Sequence, residues 1–370
     1  MYTTQRLPAS LTPLDVVLGA LLRDLEPVEA RTRAQDAPAS DALELPELKA
    51  WPPHDAVAAD GWALRASDLV GASSYAPLPL AKSPVWVEAG DRLPDGCDCV
   101  MDEEAVDRTG PIAQALADAI PGQGIRRKGG EIGDVSGIAA AWRLGGLQDA
   151  ADRPRLRIVN VPGGVITAKL MARSLREAGI EIVFVEAAAR DAASIATLLD
   201  GSGCDLVIVV GGSGVGRTDA SVMALAERDA VAAHGIALQP GRTAAVGRIG
   251  RTPVIVVPGA PDQALAVWWT LVLPALDRLA GTLREAVTRP LAQKIASSVG
   301  IAEIVLLGEQ GGAWTPLAVG DLPLTAIARA KAWLVVPGDS EGYAAERPSM
   351  PICCGNEFCD DDSTEETRKP

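Results

Sequence analysis

Residues 154–179 read PRLRIVNVPGGVITAKLMARSLREAG. PRLRIVNV holds a run of β-branched and aliphatic residues of the kind that fills a buried strand. TAKLMARSLREAG spaces its apolar residues as one face of a helix and closes on Gly179, a helix-ending residue. The same alternation then repeats. IEIVFVEA is a strand, and DAASIATLLDG is a helix with Asp191 as its N-cap. CDLVIVVGG is a strand and ASVMALAERD a helix. TPVIVVPGAP is a strand and DQALAVWWTLVLPALDRLAG a helix. Strands alternating with helices predict a parallel, doubly wound sheet, covered on both faces and joined by right-handed crossovers.

Outward from this region the texture changes. LTPLDVVLGALLRDLEPVEA, residues 11–30, has helical spacing, with Thr12 as N-cap and Pro13 in the first helical position. Further on, Pro, Gly and Asp punctuate short runs such as PVWVEAG and CDCVM, which read as strands of a turn-rich domain. Past the α/β region, EIVLLGE, WTPLAVG and AWLVVPG read as a small β domain. The expected organisation is multidomain α/β. An N-terminal helical and linking domain takes 1–30 and 138–152, and a shortened β-rich insert takes 31–137. The doubly wound domain takes 153–284, a C-terminal β domain 285–347, and a disordered acidic tail 348–370.

The chain has 370 residues, enough for two or three domains with their own cores. Its net charge of -14 argues against a nucleic-acid surface and suits a small-molecule substrate. No apolar run reaches the roughly 18–20 residues of a membrane span. The opening MYTTQRLPASLTPLD has no basic patch followed by an apolar core, so the cytoplasm is the expected compartment. There Cys97, Cys99 and Cys204 stay as thiols. Cys353, Cys354 and Cys359 lie in CCGNEFC, but a zinc site needs about four ligands at matched spacing, and His54 and His234 are far away in sequence. Both histidines are read as structural.

In an open α/β sheet, ligands sit beyond the carboxyl ends of the strands. The loops PGGVITAK, GGSGVGRTD and PGAPDQA leave such ends, and ALQPGRTAAVG precedes the last of those strands. Their glycines allow close backbone approach, and their N–H groups with a helix behind them suit an anion. Lys169 and Arg242 add positive charge. Asp219 either caps the helix after it or holds a cation on a phosphate. GGSGVG is a poor dinucleotide fingerprint, no G-K-[ST] is present, and two histidines give little support to a Ser-His-Asp triad.

VVGGSGVGRTD (209–219), LQPGRTAAVG (238–247) and VVPGAP (256–261) together resemble three segments of one family. These are the Ser-Gly-Gly-x-Ser-x-Gly-x-x-Asp loop, the Lys-Pro-Gly-Lys-Pro segment and the Pro-Gly-Asn-Pro turn of the molybdopterin molybdotransferases, of the MoeA and gephyrin E-domain type. AADGWALRASD (58–68), EAGDRLPDGCDCVMDEEAV (88–106), GIRRKGGEI (124–132) and the segments 302–309 and 320–339 also resemble family blocks, in the same order. The resemblance implies insertion of molybdate into adenylylated molybdopterin, with release of AMP and help from Mg²⁺. It implies a homodimer whose cleft is shared between subunits, with the molybdopterin adenylyltransferase as a candidate partner, and neither nucleic acid nor membrane. It assigns catalytic roles to Asp60, Glu131, Asp191 and Asp219, with Asp191 and Asp219 near the metal. Pterin and phosphate contacts fall to Gly211, Gly212, Ser213, Gly214, Gly216, Gly241, Arg242, Pro258 and Gly259.

The chain departs from the family pattern at several of these places. The acids of the family's Thr-Gly-Asp-Glu are replaced around Gly163 and Gly164. Gln239 and Arg242 stand for its two lysines, and Ala260 stands for the Asn of Pro-Gly-Asn-Pro. Two readings follow: a transferase of molybdenum cofactor synthesis, or a carrier, insertion chaperone or sensor of the same fold that binds without transfer.

Overall fold

The structure, a computed structural model, describes residues 5–28, 52, 54–129, 141–142, 153–282, 288–345, 348–349 and 352–353. By contact the chain falls into two compact units. The larger comprises Met1–Pro46, Asp134–Gly214 and Thr218–Pro370, and the smaller comprises Glu47–Gly133 with Val215–Arg217.

In the larger unit β1 (Thr12–Pro13) leads into α1 (Leu14–Leu22). The α/β region then runs β2 (Arg155–Asn160), α2 (Val165–Glu177), β3 (Glu181–Glu186), α3 (Ala192–Ala196), β4 (Leu206–Val210) and α4 (Ser221–Ala226). β5 (Val231–His234), β6 (Ile236–Gln239), β7 (Ala245–Ile249) and β8 (Thr252–Val257) follow. One sheet has the order β3-β2-β4-β8-β7-β5. Its first four strands are parallel, as the alternation predicts, and β7 and β5 add an antiparallel edge. That edge is not legible in VAAHGIALQPGRTAAVGRI, residues 231–249, whose apolar stretches are short and are broken by Gly235, Pro240, Gly241 and Gly247.

The central strands bury both faces, which is why they read as continuous apolar runs. Leu206, Ile208 and Val210 join one core with Met171, Leu175 and Leu265. Val207 and Val209 join a second core with Ile195, Leu199 and Leu225. The last helical stretch is α5 (Pro261–Val267), a π-helical segment (Trp268–Val272) and α6 (Leu273–Ala280). Pro274 has no N–H for the carbonyl four residues back, and the helical register widens just before it. Trp268 is fully buried and packs 5.4 Å from Trp142, centroid to centroid.

Besides two short two-stranded pairs, Arg289–Pro290 with Pro348–Ser349 and Ile295–Ala296 with Gly342–Tyr343, the later strands are β9 (Ala302–Gln310), β10 (Ala313–Val319), β11 (Ala332–Val336) and β12 (Ile352–Cys353), with the short α7 (Leu324–Ile327) between β10 and β11. They form a second sheet of order β1-β6-β9-β11-β12, with β10 beside β9. The C-terminal β region thus takes two strands from much earlier in the chain. Pairing continues to Cys353, past Pro348 where the sequence expectation starts the tail. Cys354 and Cys359 lie outside the described residues.

The smaller unit has Gly61–Leu64 between Val85–Val87 and Cys99–Met101, and a second sheet from Leu78–Pro79, Gln114–Ala115 and Val106–Asp107. Trp62, Leu64, Leu69, Cys99 and Met101 fill its core. Trp62 meets Trp86 edge-on at 5.0 Å, and the Arg108 guanidinium lies 4.6 Å from the Trp62 ring centre. Burial pushes the Cys99 thiol up to about 11, so it stays protonated and unreactive.

Candidate functional site

The connection β2–α2–β3 moves to one side of β2, and β3–α3–β4 returns to the other. The helices after β2 and β4, α2 and α4, pack into different cores on opposite faces of the sheet, so the switch point, the crevice where such sheets take ligands, lies at the carboxyl ends of these strands. Three glycines meet there. A Cβ on Gly259, after β8, would lie 3.5 Å from Gly211 Cα and 3.7 Å from Gly164 Cα. A Cβ on Gly164 would lie 2.9 Å from the Val210 carbonyl oxygen, closer than real Cβ atoms come, and Gly211 holds φ at +95°. Only backbone fits where these loops touch. Gly164 also precedes α2, so the unpaired N–H groups of that first turn open beside the loop after β2.

Side chains behind the glycine loop hold it in shape. Buried Gln5 donates through Nε2 to the Gly212 carbonyl at 2.9 Å and to the Gly214 carbonyl, and its Oε1 accepts from the Val222 N–H at 3.3 Å. Ser221 Oγ donates to the Gly211 carbonyl at 2.7 Å. Ser213 Oγ and Thr243 Oγ1 are 3.1 Å apart, and His234 Nε2 lies 3.3 Å from the Ser213 carbonyl. Thr167 Oγ1 donates to the Gly259 carbonyl at 2.6 Å and ties α2 to the loop after β8. Sequence reading names Ser213 as a ligand contact and His234 as structural, but Gln5, Thr167, Ser221 and Thr243 carry no motif.

The charged groups sort themselves clearly. Arg190 Nη1 donates to the Pro162 carbonyl at 3.0 Å, and Nη2 pairs with Asp219 Oδ1 at 2.7 Å. Asp219 does not cap α4, whose N-cap is Ala220. Asp191 is the expected N-cap of α3: Oδ1 accepts from Ser194 N and Oδ2 from Ser194 Oγ, each at 2.8 Å. Those bonds hold its carboxyl below the usual aspartate range. Ser213, Gly241, Arg242 and Pro258 belong to the larger unit with Gly211, Gly212, Gly214 and Gly259. Asp60 and Gly216 belong to the smaller one. Within that smaller unit Asp60 accepts from Ala89 N at 2.8 Å and from Val215 N at 3.1 Å, and Glu88 accepts from Arg217 N at 2.8 Å. Glu131 lies outside the described residues.

Two family profiles match the chain. Residues 46–142 match the MoeA N-terminal region (domain I and II), and residues 166–278 match the family described as "Probable molybdopterin binding domain". The chain belongs to the MoeA family. Among its relatives, molybdopterin molybdenumtransferase 2 of Mycobacterium tuberculosis is 28% identical over 285 residues, covering 62% of this chain and 70% of that protein. The molybdopterin molybdenumtransferase of Haemophilus influenzae is 28% identical over 276 residues, covering 62% and 67%. Of solved structures, the molybdopterin biosynthesis MoeA protein of Pyrococcus horikoshii aligns with 22% identity and a TM-score of 0.48, over 93% of this chain and 100% of that one.

Magnesium is the cation that MoeA resemblance implies. It binds hard oxygen ligands, one or two of them carboxylates when phosphate supplies the rest. In this MoeA-family chain the two carboxylates expected for it are already engaged, Asp191 by Ser194 and Asp219 by Arg190. Among the described residues no group of three or more His, Cys, Asp or Glu side chains is placed to hold a metal ion. The donor set does not fit magnesium. What the crevice offers instead is backbone N–H groups, glycine surfaces and a guanidinium, which together suit an anion.

Proposed function

We propose that this MoeA-family chain binds molybdopterin at the crevice between β2 and β4 and serves molybdenum cofactor biosynthesis. In this reading it is a transferase that places molybdate on adenylylated molybdopterin and releases AMP. The observation that carries the reading is the meeting of Gly164, Gly211 and Gly259 at the carboxyl ends of neighbouring parallel strands, braced from behind by Gln5 and Thr167. Such a surface leaves no side chain in the way of the ligand, and because the Gly164 and Gly211 N–H groups are taken by the Val161 and Val257 carbonyls, the donors for the pterin phosphate are the first-turn N–H groups of α2. A homodimer with a shared cleft, action in the cytoplasm and delivery of substrate by the molybdopterin adenylyltransferase belong to the same proposal.

A second reading is favoured by one specific observation. The acids expected around Gly163 and Gly164 are absent, and the two carboxylates expected near the metal, Asp191 and Asp219, are bonded within the protein. A chain of that kind can hold the pterin as a carrier or sensor without transfer. One experiment separates the two: purified protein is mixed with adenylylated molybdopterin and molybdate, and AMP is followed by chromatography. AMP release at a rate above the uncatalysed background is the expected result. Tight pterin binding with no AMP would establish the carrier reading, and absence of pterin binding would overturn both.

A further inference from the structure

We infer that Arg190 supplies the positive charge that meets a tetrahedral oxyanion of the ligand in this crevice, in place of a carboxylate-held divalent cation, and that Asp219 is the residue that positions it. The inference rests on the reading that the crevice binds molybdopterin, and goes further by naming the group that neutralises the ligand's charge.

A Cβ on Gly163 would lie 2.8 Å from Arg190 Nη1. The guanidinium therefore lies directly against the loop after β2, where the family resemblance expects acids. Two anchors fix it in that place. The Pro162 carbonyl takes one N–H, and the Asp219 carboxylate, whose side chain is only 10% exposed, takes another. A guanidinium carries further N–H donors in a fixed planar fork that matches the oxygens of phosphate or molybdate. The Arg190 side chain is 37% exposed, so part of that fork faces solvent, and its buried Nε has no hydrogen-bond partner among the described residues. Arginine that is anchored on one edge and open on the other is pre-organised for an oxyanion, and little rotamer freedom is lost on binding.

The chemistry of the carboxylates points the same way. An Asp219 that held magnesium would have to give up a charge-assisted bond of 2.7 Å to Arg190, and would then leave that cation beside the metal. As an orienting group for Arg190 it keeps its bond throughout. The oxyanion has two possible sources, the pterin phosphate and the incoming molybdate, and they are tested separately.

Binding of adenylylated molybdopterin and of sodium molybdate is measured by calorimetry on the full chain, with magnesium chloride and then with EDTA. Measurements on the unaltered protein, Arg190→Met, Arg190→Lys, Asp219→Asn and the double variant complete the set. We expect unaltered protein to bind the pterin equally well with EDTA, within about twofold. Arg190→Met should weaken at least one of the two ligands about ten- to a hundredfold, as loss of a charge-assisted bond does. Whichever ligand loses more identifies the source. Arg190→Lys should retain part of the affinity, and the double variant should bind no worse than Arg190→Met alone, because Asp219 acts only through Arg190. Thermal unfolding of each variant shows whether it folds, and the EDTA comparison stands without any variant. Pterin binding that needs magnesium and is indifferent to Arg190→Met overturns the inference and leaves the pterin site standing. No pterin binding by unaltered protein in either buffer overturns the pterin reading itself.

Discussion

Gly164 shows why the missing family acids cannot simply be put back. A Cβ there meets the Val210 carbonyl oxygen at 2.9 Å, so a glutamate would have to push β4 aside before its carboxylate reached anything. The loss of the acid and the close approach of the loops are one change seen from two sides. The sequence makes the substitution visible but not the contact that enforces it. His234 is the other informative single residue. Burial lowers its pKa below 6.5, although the bond to the Ser213 carbonyl opposes this. The unfolded chain therefore takes up the proton first as pH falls. Stability that is complete above about pH 6.5 should decline below it. Denaturant melts between pH 7.5 and pH 5.5 should show a falling midpoint, and a His234→Gln variant should lose that part of the slope. An unchanged slope would mean that His234 stays neutral in both states. Asp191 has the opposite sense. Its pKa is depressed by Ser194, so its contribution is present above the ordinary aspartate range and fades as pH falls through the lowered value.

Among the elements, β2, β4 and β8 were the most legible. Strands buried on both faces are apolar at nearly every position: LVIVV and VIVV are wholly so, and LRIV is interrupted only by the part-buried Arg157. The flanking helices were legible for the complementary reason, since α2 shows only one apolar face. β5, β6 and β7 were not read as strands, because two-, three- and four-residue apolar stretches between glycines look the same in a loop as in a sheet edge. The glycine loop stands out in the sequence, but its supports come from Gln5, Thr167, Ser221 and Thr243, which no local pattern connects. The helical run through α5, the π-helical segment and α6 gives the test at this scale. Trp268 is fully buried against Trp142 within the main core. Trp268→Ala should cost about 3–5 kcal/mol in unfolding free energy, read from denaturant melts. A loss under about 1 kcal/mol would mean that the core collapses readily around the gap.

At the scale of the whole molecule, contact divides the chain into two units assembled from distant stretches. β1 and β6 reach the second sheet from positions far from β9 and β11, and Val215–Arg217 counts with the smaller unit although its neighbours do not. Local periodicity has no access to such pairings, which depend on three-dimensional closure. The proposed homodimer is tested at this scale too: light scattering at micromolar protein should give twice the mass of the 38.3 kDa chain. A monomer mass across that range would sink the shared cleft.

The Gln5 brace also fixes when the site can exist. Its partners stand 207 to 217 residues downstream, and β1 waits for β6 in the same way. On a ribosome making roughly 5–20 residues each second, the N-terminal segment must wait on the order of ten seconds or more before the loop it supports has been synthesised. Until then Gln5 has none of these partners to hold, and the loop it braces cannot take its final shape.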